Sequence, residues 1–522
     1  MNICSGLEFS AFFFLTFSRI ICQHWEKRLR SLQNEQTEAH HQRMQRIAPP
    51  PKRFNYEKYL EILNHGPMRN KASKKVIIVG AGMSGLTAGR LLKQMGHNIK
   101  IIEASDKVGG RIKTFRHPSG WVGELGAIQI LDCHKLVLSL IRNYSLNIVP
   151  FQRTGSRNFL FMNGIRLRES IFSLKKNPFK LDFTKEESRY TVSELIQMYE
   201  EAILDDLEKL DWKKAMTYMD SFSVKEYLEN CCNFSEAAIQ QILFCMNFEG
   251  LSYVSMYELI RMMFSFNIEY PQVVKDGLDN LPRKISEDFA NNTILFKAKV
   301  QRISDRKTYS CVHYSINKST EIETECAEYV IVATSIAALK IINFKPKLDV
   351  KKQRAINNMN FESATRIVEK FKTPFWESEG IYQGDITTDW HTGSINIPGR
   401  QVERSLIYGG VGEGRTTHLL NGLSELDLIE YHLNKLSTLF RKKVKTVFDS
   451  GVVYKWLNDP FSLGGFSLCL PKQCSNDFNK NLKKSSGRIH FAGEHTSDSH
   501  AWVEGAVESG IRVALEIQKR TD

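Results

Sequence analysis

The stretch from Lys74 to Glu103 constrains the fold more than any other part of the chain. It opens on the apolar run KKVIIVG, passes through Gly80-Ala81-Gly82-Met83-Ser84-Gly85, and returns to an apolar run, NIKIIE, that ends at Glu103. Short apolar runs bounded by glycine read as buried strands, and the segment between them reads as a helix, which makes a βαβ start. In such a turn the first glycine shapes the bend, the second lets a pyrophosphate approach the backbone, and the third lets helix and strand pack closely. The free N–H groups of the helix N-terminus then face the anion. Glu103, at the end of the second strand, is placed to accept hydrogen bonds from a ribose diol. The unit predicts an α/β protein with a Rossmann-like dinucleotide site.

Two further stretches decide which dinucleotide. Glu103-Ala104-Ser105-Asp106-Lys107-Val108-Gly109-Gly110-Arg111 adds a second glycine pair and a cation. Late in the chain, Phe491-Ala492-Gly493-Glu494 sets another glycine and acid at the mouth of a strand. A nicotinamide-binding half rarely needs either. A longer, branched ligand needs a site in two parts, so the reading is FAD.

The rest of the chain excludes several classes. Its 522 residues predict about three to four lobes, and 42% hydrophobic with 25% charged residues is a globular balance. The net charge is +13, but Glu26 to Lys75 holds twelve Lys/Arg against five Asp/Glu, so +7 of it lies in a leader and linker. Without a zinc-finger or RNP pattern, that excess does not predict a nucleic-acid partner. No CxxC, HExxH or GxSxG occurs, so no metal site, zinc protease or serine hydrolase is expected. Cys133, Cys245, Cys311 and Cys326 sit among apolar neighbours and read as buried free thiols. Phe9 to Cys22 is apolar but too short to span a bilayer. It reads as a cleaved signal peptide, with a mis-called first exon or an interfacial anchor as alternatives. Gln23 to Ala48 is polar and ends at Pro49-Pro50-Pro51, a stiff linker.

Tyr56 to Leu63 reads as a short helix. From Phe179 to Glu249 there is no Gly and no Pro, and apolar residues recur at helical spacing. Thr191 with Glu194 and Ser223 with Glu226 fit capping boxes, so this is a helical lobe. Strand-like runs then return at Thr293 to Val300, Ser310 to Ile316 and Glu328 to Ala333. The C-terminus from Gly487 to Lys519 is strand, turn and helix again, which implies a domain assembled from separated segments.

Taken together, Gly80 to Gly85, Glu103 to Arg111, Gly123-Glu124-Leu125-Gly126-Ala127 and Phe491 to Gly510 resemble the flavin-containing amine oxidase superfamily, and within it the L-amino-acid oxidases. Tyr56 to Ile62, Phe375-Trp376-Glu377 and Ala501-Trp502-Val503 share the likeness, which spans about Tyr56 to Lys519. It implies an FAD domain from residues 73–112, 280–360 and 485–522, and a mixed-sheet substrate domain from 113–175 and 361–484. An inserted helical domain over 176–279 and an N-terminal helix over 53–72 complete it, behind a signal segment at 1–23 and a linker at 24–52. The reaction implied is oxidation of an amino acid at Cα to an imino acid, which hydrolyses to a 2-oxo acid and ammonia while oxygen becomes hydrogen peroxide. The partners are therefore a small-molecule amino acid or amine and oxygen, with a homodimer, no transmembrane anchor, and a secreted or lumenal location; an intracellular one is the alternative. The secreted venom-type relatives carry cysteines in the helical lobe and before Phe375, at stretches that here read Trp212-Lys213-Lys214-Ala215 and Glu369-Lys370-Phe371-Lys372, with none.

The resemblance also assigns residues. Gly80, Ala81, Gly82, Met83, Ser84, Gly85, Glu103, Ala104, Gly110, Arg111, Gly126, Ala127, Val300, Trp456, Gly493, Glu494, Trp502 and Val503 are expected on the FAD. Phe466 follows Gly464-Gly465 where the monoamine oxidases carry a linking Cys, so FAD is expected to be non-covalent. Tyr408 matches a tyrosine that hydrogen-bonds the substrate carboxylate, Trp502 an aromatic wall, and the Ala501 carbonyl a glycine carbonyl that receives the amino group. Three positions depart: Gln129 stands for the carboxylate-clamping arginine, Arg366 for the lysine that holds a water, and Met262, beside Arg261, for a histidine. Arg261 or Arg366 is the candidate to restore the lost charge, with a solvated helix face the alternative for Arg261. These departures leave open an oxidase of amines or polyamines without a carboxylate, or an FAD-binding protein that has lost catalysis.

Overall fold

The computed structural model describes residues 55–521 apart from 71, 152–154, 156, 266–270 and 476. The apolar N-terminal run and the proline linker, with the signal-peptide expectation, lie outside the described residues.

Five parallel strands run in the order Ile489–Phe491, Tyr329–Val332, Lys75–Val79, Asn98–Ile102 and Ile294–Leu295. Lys75–Val79 is central and sequestered on both faces, which is why it reads as an unbroken apolar run. Val76 and Ile78 enter a cluster with Leu86, Leu91 and Ile511. Ile77 and Val79 enter the opposite one with Val330, Val332 and Phe491. Helix Met83–Gln94 follows the first strand, and the C-terminal helix Val503–Thr521 crosses it closely. A Cβ on Gly510 would stand 2.6 Å from the Ser84 carbonyl oxygen. The sheet therefore draws its strands from three separated stretches of chain.

The run Thr293 to Val300, which reads as one strand, is two. Ile294–Leu295 edges the parallel sheet, while Ala298–Asp305 belongs to a four-stranded sheet with Ser310–Ile316, Glu323–Ala327 and Asn343–Lys345. Lys297, at φ +57°, turns the chain between them. A third sheet of seven strands is mixed: Phe448–Lys455, Ala364–Phe371, Leu406–Glu413, Ile395–Ile397 and Gly384–Thr388 pair antiparallel, and the last pairs parallel with Phe159–Met162.

Between these sheets stand helices Val192–Lys209, Trp212–Met219, Val224–Asn230, Glu236–Met246 and Met256–Ser265. Both expected capping boxes are present, at Thr191/Glu194 and Ser223/Glu226. The inward faces of these helices, including Leu195, Ile203, Tyr227 and Ile242, share one buried cluster with Leu468. Among the described residues no helix is long and apolar enough to cross a membrane.

Two cysteine expectations are corrected. Cys311 and Cys326 are not free thiols but a disulfide, because the hairpin register sets them directly opposite each other on adjacent strands. Cys469 and Cys474 form a second one. Cys133, Cys231, Cys232 and Cys245 take part in no disulfide among the described residues. Replacing Ser223 by Ala removes the Ser223 Oγ acceptor for the Glu226 N–H, and is expected to lower stability by about 1 kcal/mol in urea unfolding. Adding Glu226→Ala should cost less than a second independent loss, since the two side chains act as one cap.

Candidate active site

The two early glycine stretches lie side by side. Gly82 and Gly109 form a parallel bridge, and the Gly109 N–H donates to the Ala81 carbonyl at 2.9 Å. A Cβ on Gly85 would stand 2.0 Å from the Gly80 carbonyl oxygen, so only hydrogen fits beneath the turn. At Gly82, in contrast, nothing lies within 4 Å of where a Cβ would be. That open space at a helix N-terminus is a cradle for a phosphate group. The Glu103 carboxylate holds the cradle in shape: Oε2 accepts the Ala81 N–H at 2.6 Å, and Oε1 accepts the Ser105 N–H and Oγ–H, each at 2.8 Å.

One cavity of about 780 Å³ runs from this cradle to the helical lobe. Gly80, Gly82, Met83, Ser84, Glu103 and Ala104 line one end, joined by Val300 from the neighbouring sheet. Ala81 and Gly85, expected on the cofactor, stand behind this wall, where their backbone and missing side chains shape the turn. Gly110, Arg111, Gly126, Ala127 and Trp456 line the middle. There the Trp456 Nε1–H donates to the Leu125 carbonyl at 2.7 Å, and a Cβ on Gly126 would meet the Arg111 carbonyl oxygen at 2.1 Å.

Gly493, Glu494, Trp502 and Val503 close the other side. The buried Glu494 carboxylate accepts from Arg111 Nη1 at 2.7 Å, Ser467 Oγ at 3.0 Å and the Ala501 N–H at 3.1 Å. Burial alone would raise this carboxyl, but the Arg111 guanidinium holds it below the ordinary range. Ala501 itself is left-handed, at φ +66°. An L residue is strained there by roughly 1 kcal/mol, and glycine would not be.

Gln129, Arg366, Ala501, Trp502 and Met262 share the wall beyond. Arg366 Nη2 lies 3.4 Å from the Gly126 carbonyl oxygen, so its charge is next to the middle of the cavity. Trp502 packs on His134 with ring centroids 4.8 Å apart. Burial drives the His134 imidazole down to about 3, so this ring is neutral.

Two expected substrate residues do not reach the cavity. Tyr408 is buried among Trp121, Phe151 and Val368, and its hydroxyl accepts the Glu124 N–H at 3.2 Å. The hairpin Thr114–Arg116/Val122–Glu124 packs over this part of the sheet and covers it. Arg261 is neither a substrate group nor a solvated one. It is buried, ion-paired with Glu258, and donates to the Asp498 carbonyl. A buried guanidinium must be paired, and Glu258 supplies the partner. Of the two arginines able to restore charge to the cavity, Arg366 is the one on its wall.

Three acids were not anticipated from the sequence. Glu169, Glu200 and Asp385 line the walls contributed by the helical lobe and the outer strands. Burial pushes Glu169 up to about 7 and Glu200 up to about 8. A signal was available for Glu200: it falls on the inward stripe of its helix with Ile196, Tyr199 and Ile203, where an acid is out of pattern.

The model of the flavin-containing amine oxidoreductases matches residues 83–518. The chain belongs to this family. It is 31% identical over 476 residues to an L-amino-acid oxidase of Siganus canaliculatus, covering 90% of this chain and 89% of that one. It is 32% identical over 469 residues to an L-amino-acid oxidase of Mus musculus, covering 89% and 74%. Among solved structures, the cyclohexylamine oxidase of Brevibacterium oxydans superposes with a TM-score of 0.69 at 20% identity, covering 86% of this chain and 99% of that one. A redesigned putrescine oxidase gives 0.66 at 18%, covering 87% and 100%; both are likenesses of fold.

In this amine oxidoreductase the cradle and the wall make separate predictions. Gly126→Ala drives a methyl group into the Arg111 carbonyl and the Trp456 ring; flavin absorbance per purified chain should fall severalfold while the far-ultraviolet spectrum is retained. Ala501→Gly relieves the left-handed strain and should raise stability by roughly 1 kcal/mol, read as a higher thermal midpoint.

Proposed function

We propose that this flavoenzyme is an FAD-dependent oxidase that deaminates L-amino acids to 2-oxo acids, releasing ammonia and hydrogen peroxide. The observation that carries the reading is the position of Arg366, a permanent cation on the same wall as Ala501 and Trp502, in a cavity continuous with the phosphate cradle. The curated L-amino-acid oxidases similar over nine-tenths of the chain support it. FAD suits the two-part cradle, and Phe466 after Gly464-Gly465 offers no thiol for a covalent link. A flavin bound there would supply the acceptor for hydride from Cα and the route of electrons to oxygen.

The residues of the chain bind and orient. Arg366 receives the substrate carboxylate in a charge-assisted contact that Gln129, an uncharged donor, supports but does not replace. The Ala501 carbonyl accepts from the amino group, and the left-handed turn there is what aims it. Trp502, backed by neutral His134, walls the Cα side. Because Arg366 keeps its proton, it fixes charge and does not shuttle protons; water hydrolyses the imino acid. The two disulfides favour an oxidising compartment, which supports a secreted or lumenal location.

A second reading, oxidation of cationic amines or polyamines, is favoured by Glu169, Glu200 and Asp385 on the cavity wall. Anaerobic mixing separates the two, because bleaching of the flavin reports hydride transfer alone. L-Amino acids should bleach it, and silence toward all of them with bleaching by spermine or a monoamine would replace the first reading by the second. Arg366→Met should raise KM for an L-amino acid by roughly ten- to a hundredfold and leave an amine without a carboxylate nearly unaffected.

A further inference from the structure

Behind the cavity wall, Glu258, Cys469, Cys474 and His500 meet. One ligand atom from each lies within 4.8 Å of all the others, and all four residues are buried. They come from separate places: helix Met256–Ser265, the loop after strand Phe466–Ser467, and the turn before Ala501. Glu258 is the hub. Its Oε1 accepts from His500 Nδ1 at 2.6 Å and the Cys469 N–H at 2.8 Å, and lies 3.4 Å from Cys474 Sγ. Its Oε2 takes the Arg261 guanidinium. The far ring nitrogen of His500, Nε2, is buried with no hydrogen-bond partner among the described residues. The two sulfurs are joined as a disulfide.

We propose that reduction of Cys469–Cys474 converts this cluster into a binding site for one zinc-class divalent ion, held by the two sulfurs, His500 and Glu258. Two thiolates, an imidazole and a carboxylate are a four-donor set of the kind that suits tetrahedral zinc, and the sulfurs discriminate against magnesium and calcium. The electron balance is simple. A dithiol reductant supplies two electrons and two protons, closes to its own disulfide, and leaves two thiols. The ion then displaces both thiol protons, and His500 turns its Nδ1 lone pair from Glu258 to the ion, the ring proton moving to Nε2, so that Nδ1 and Glu258 Oε1 face the same ion.

Charge balance favours both states. In the disulfide form, the Glu258 carboxylate is matched by the Arg261 guanidinium. In the loaded form, a divalent cation with two thiolates and one carboxylate carries a net single negative charge, and Arg261 on the free carboxylate oxygen cancels it. A buried site that is neutral in either state avoids the cost of an unpaired charge. The guanidinium also orients the ligating carboxylate, as outer-shell partners do. Leu468, Met262 and Ala501, close in sequence to these residues, line the cavity.

The test uses the full chain purified with its flavin, reduced by dithiothreitol, freed of it by anaerobic gel filtration, and mixed with Cd²⁺. The reduced protein should retain one Cd²⁺ per chain and show thiolate-to-metal charge-transfer absorption, and the same protein left unreduced should show neither. Cys469→Ser/Cys474→Ser leaves every other cysteine in place and should lose both signals; His500→Gln should weaken retention by at least about tenfold. Absence of Cd²⁺ from the reduced wild type, or equal retention by the double serine variant, overturns the proposal. Should the variant fail to fold, reduced His500→Gln, which keeps every cysteine, decides: retention equal to the wild type overturns the proposal. None of these readouts depends on turnover of any substrate, so they stand apart from the oxidase reading.

Discussion

The contact on which the rest of the site depends is the buried carboxylate of Glu494. It holds Arg111 from the second glycine stretch, Ser467 from the segment after Gly464-Gly465, and the backbone N–H of Ala501. Three parts of the chain far apart in sequence meet on two oxygen atoms. A buried carboxylate is stable only when its lone pairs are met and its charge is opposed. Moving any one of the three would leave it short, so the cradle and the substrate wall are held in one frame. Arg111 is in turn anchored by donating to the Gly465 carbonyl at 3.0 Å.

That frame explains why one continuous cavity forms between the sheets. Backbone approaches closely at Gly85 and Gly126, where no side chain fits, and stands open at Gly82, where a ligand does. The charges then fall in order along the walls. Arg111 and Arg366 stand near the middle, and Glu169, Glu200 and Asp385 lie toward the helical lobe. The strain at Ala501 belongs to the same arrangement, because a left-handed residue there turns the chain between the His500 cluster and Trp502.

Local signals in the sequence were read well. The GxGxxG unit, its flanking strands and both capping boxes depend on neighbours within a few residues, so spacing suffices to see them. The pair Tyr408 and Arg261 shows the limit of carrying a role from a family position. Each occupies the expected place in the chain, but a hairpin covers one and a buried acid neutralises the other. The Cys311–Cys326 disulfide was invisible for a related reason: it follows from hairpin register, and nothing in the residue count distinguishes a cross-strand pair from two buried thiols.

The sequence by itself determined the elements and the cofactor class, because strand, turn, helix and phosphate cradle are all written in short-range patterns of glycine and apolar residues. Tertiary structure alone decided which charges meet the substrate. Whether an arginine faces a cavity or a carboxylate depends on what the distant chain brings against it. Arg366 lines the cavity and Arg261 pairs with Glu258, though both lie among apolar neighbours in sequence. The same holds for Glu258, Cys469, Cys474 and His500, whose meeting is a consequence of how the helical lobe, the loop before Cys474 and the turn at His500 pack together. Long-range packing, not residue type, selects which polar groups are paired with one another and which are kept for a ligand.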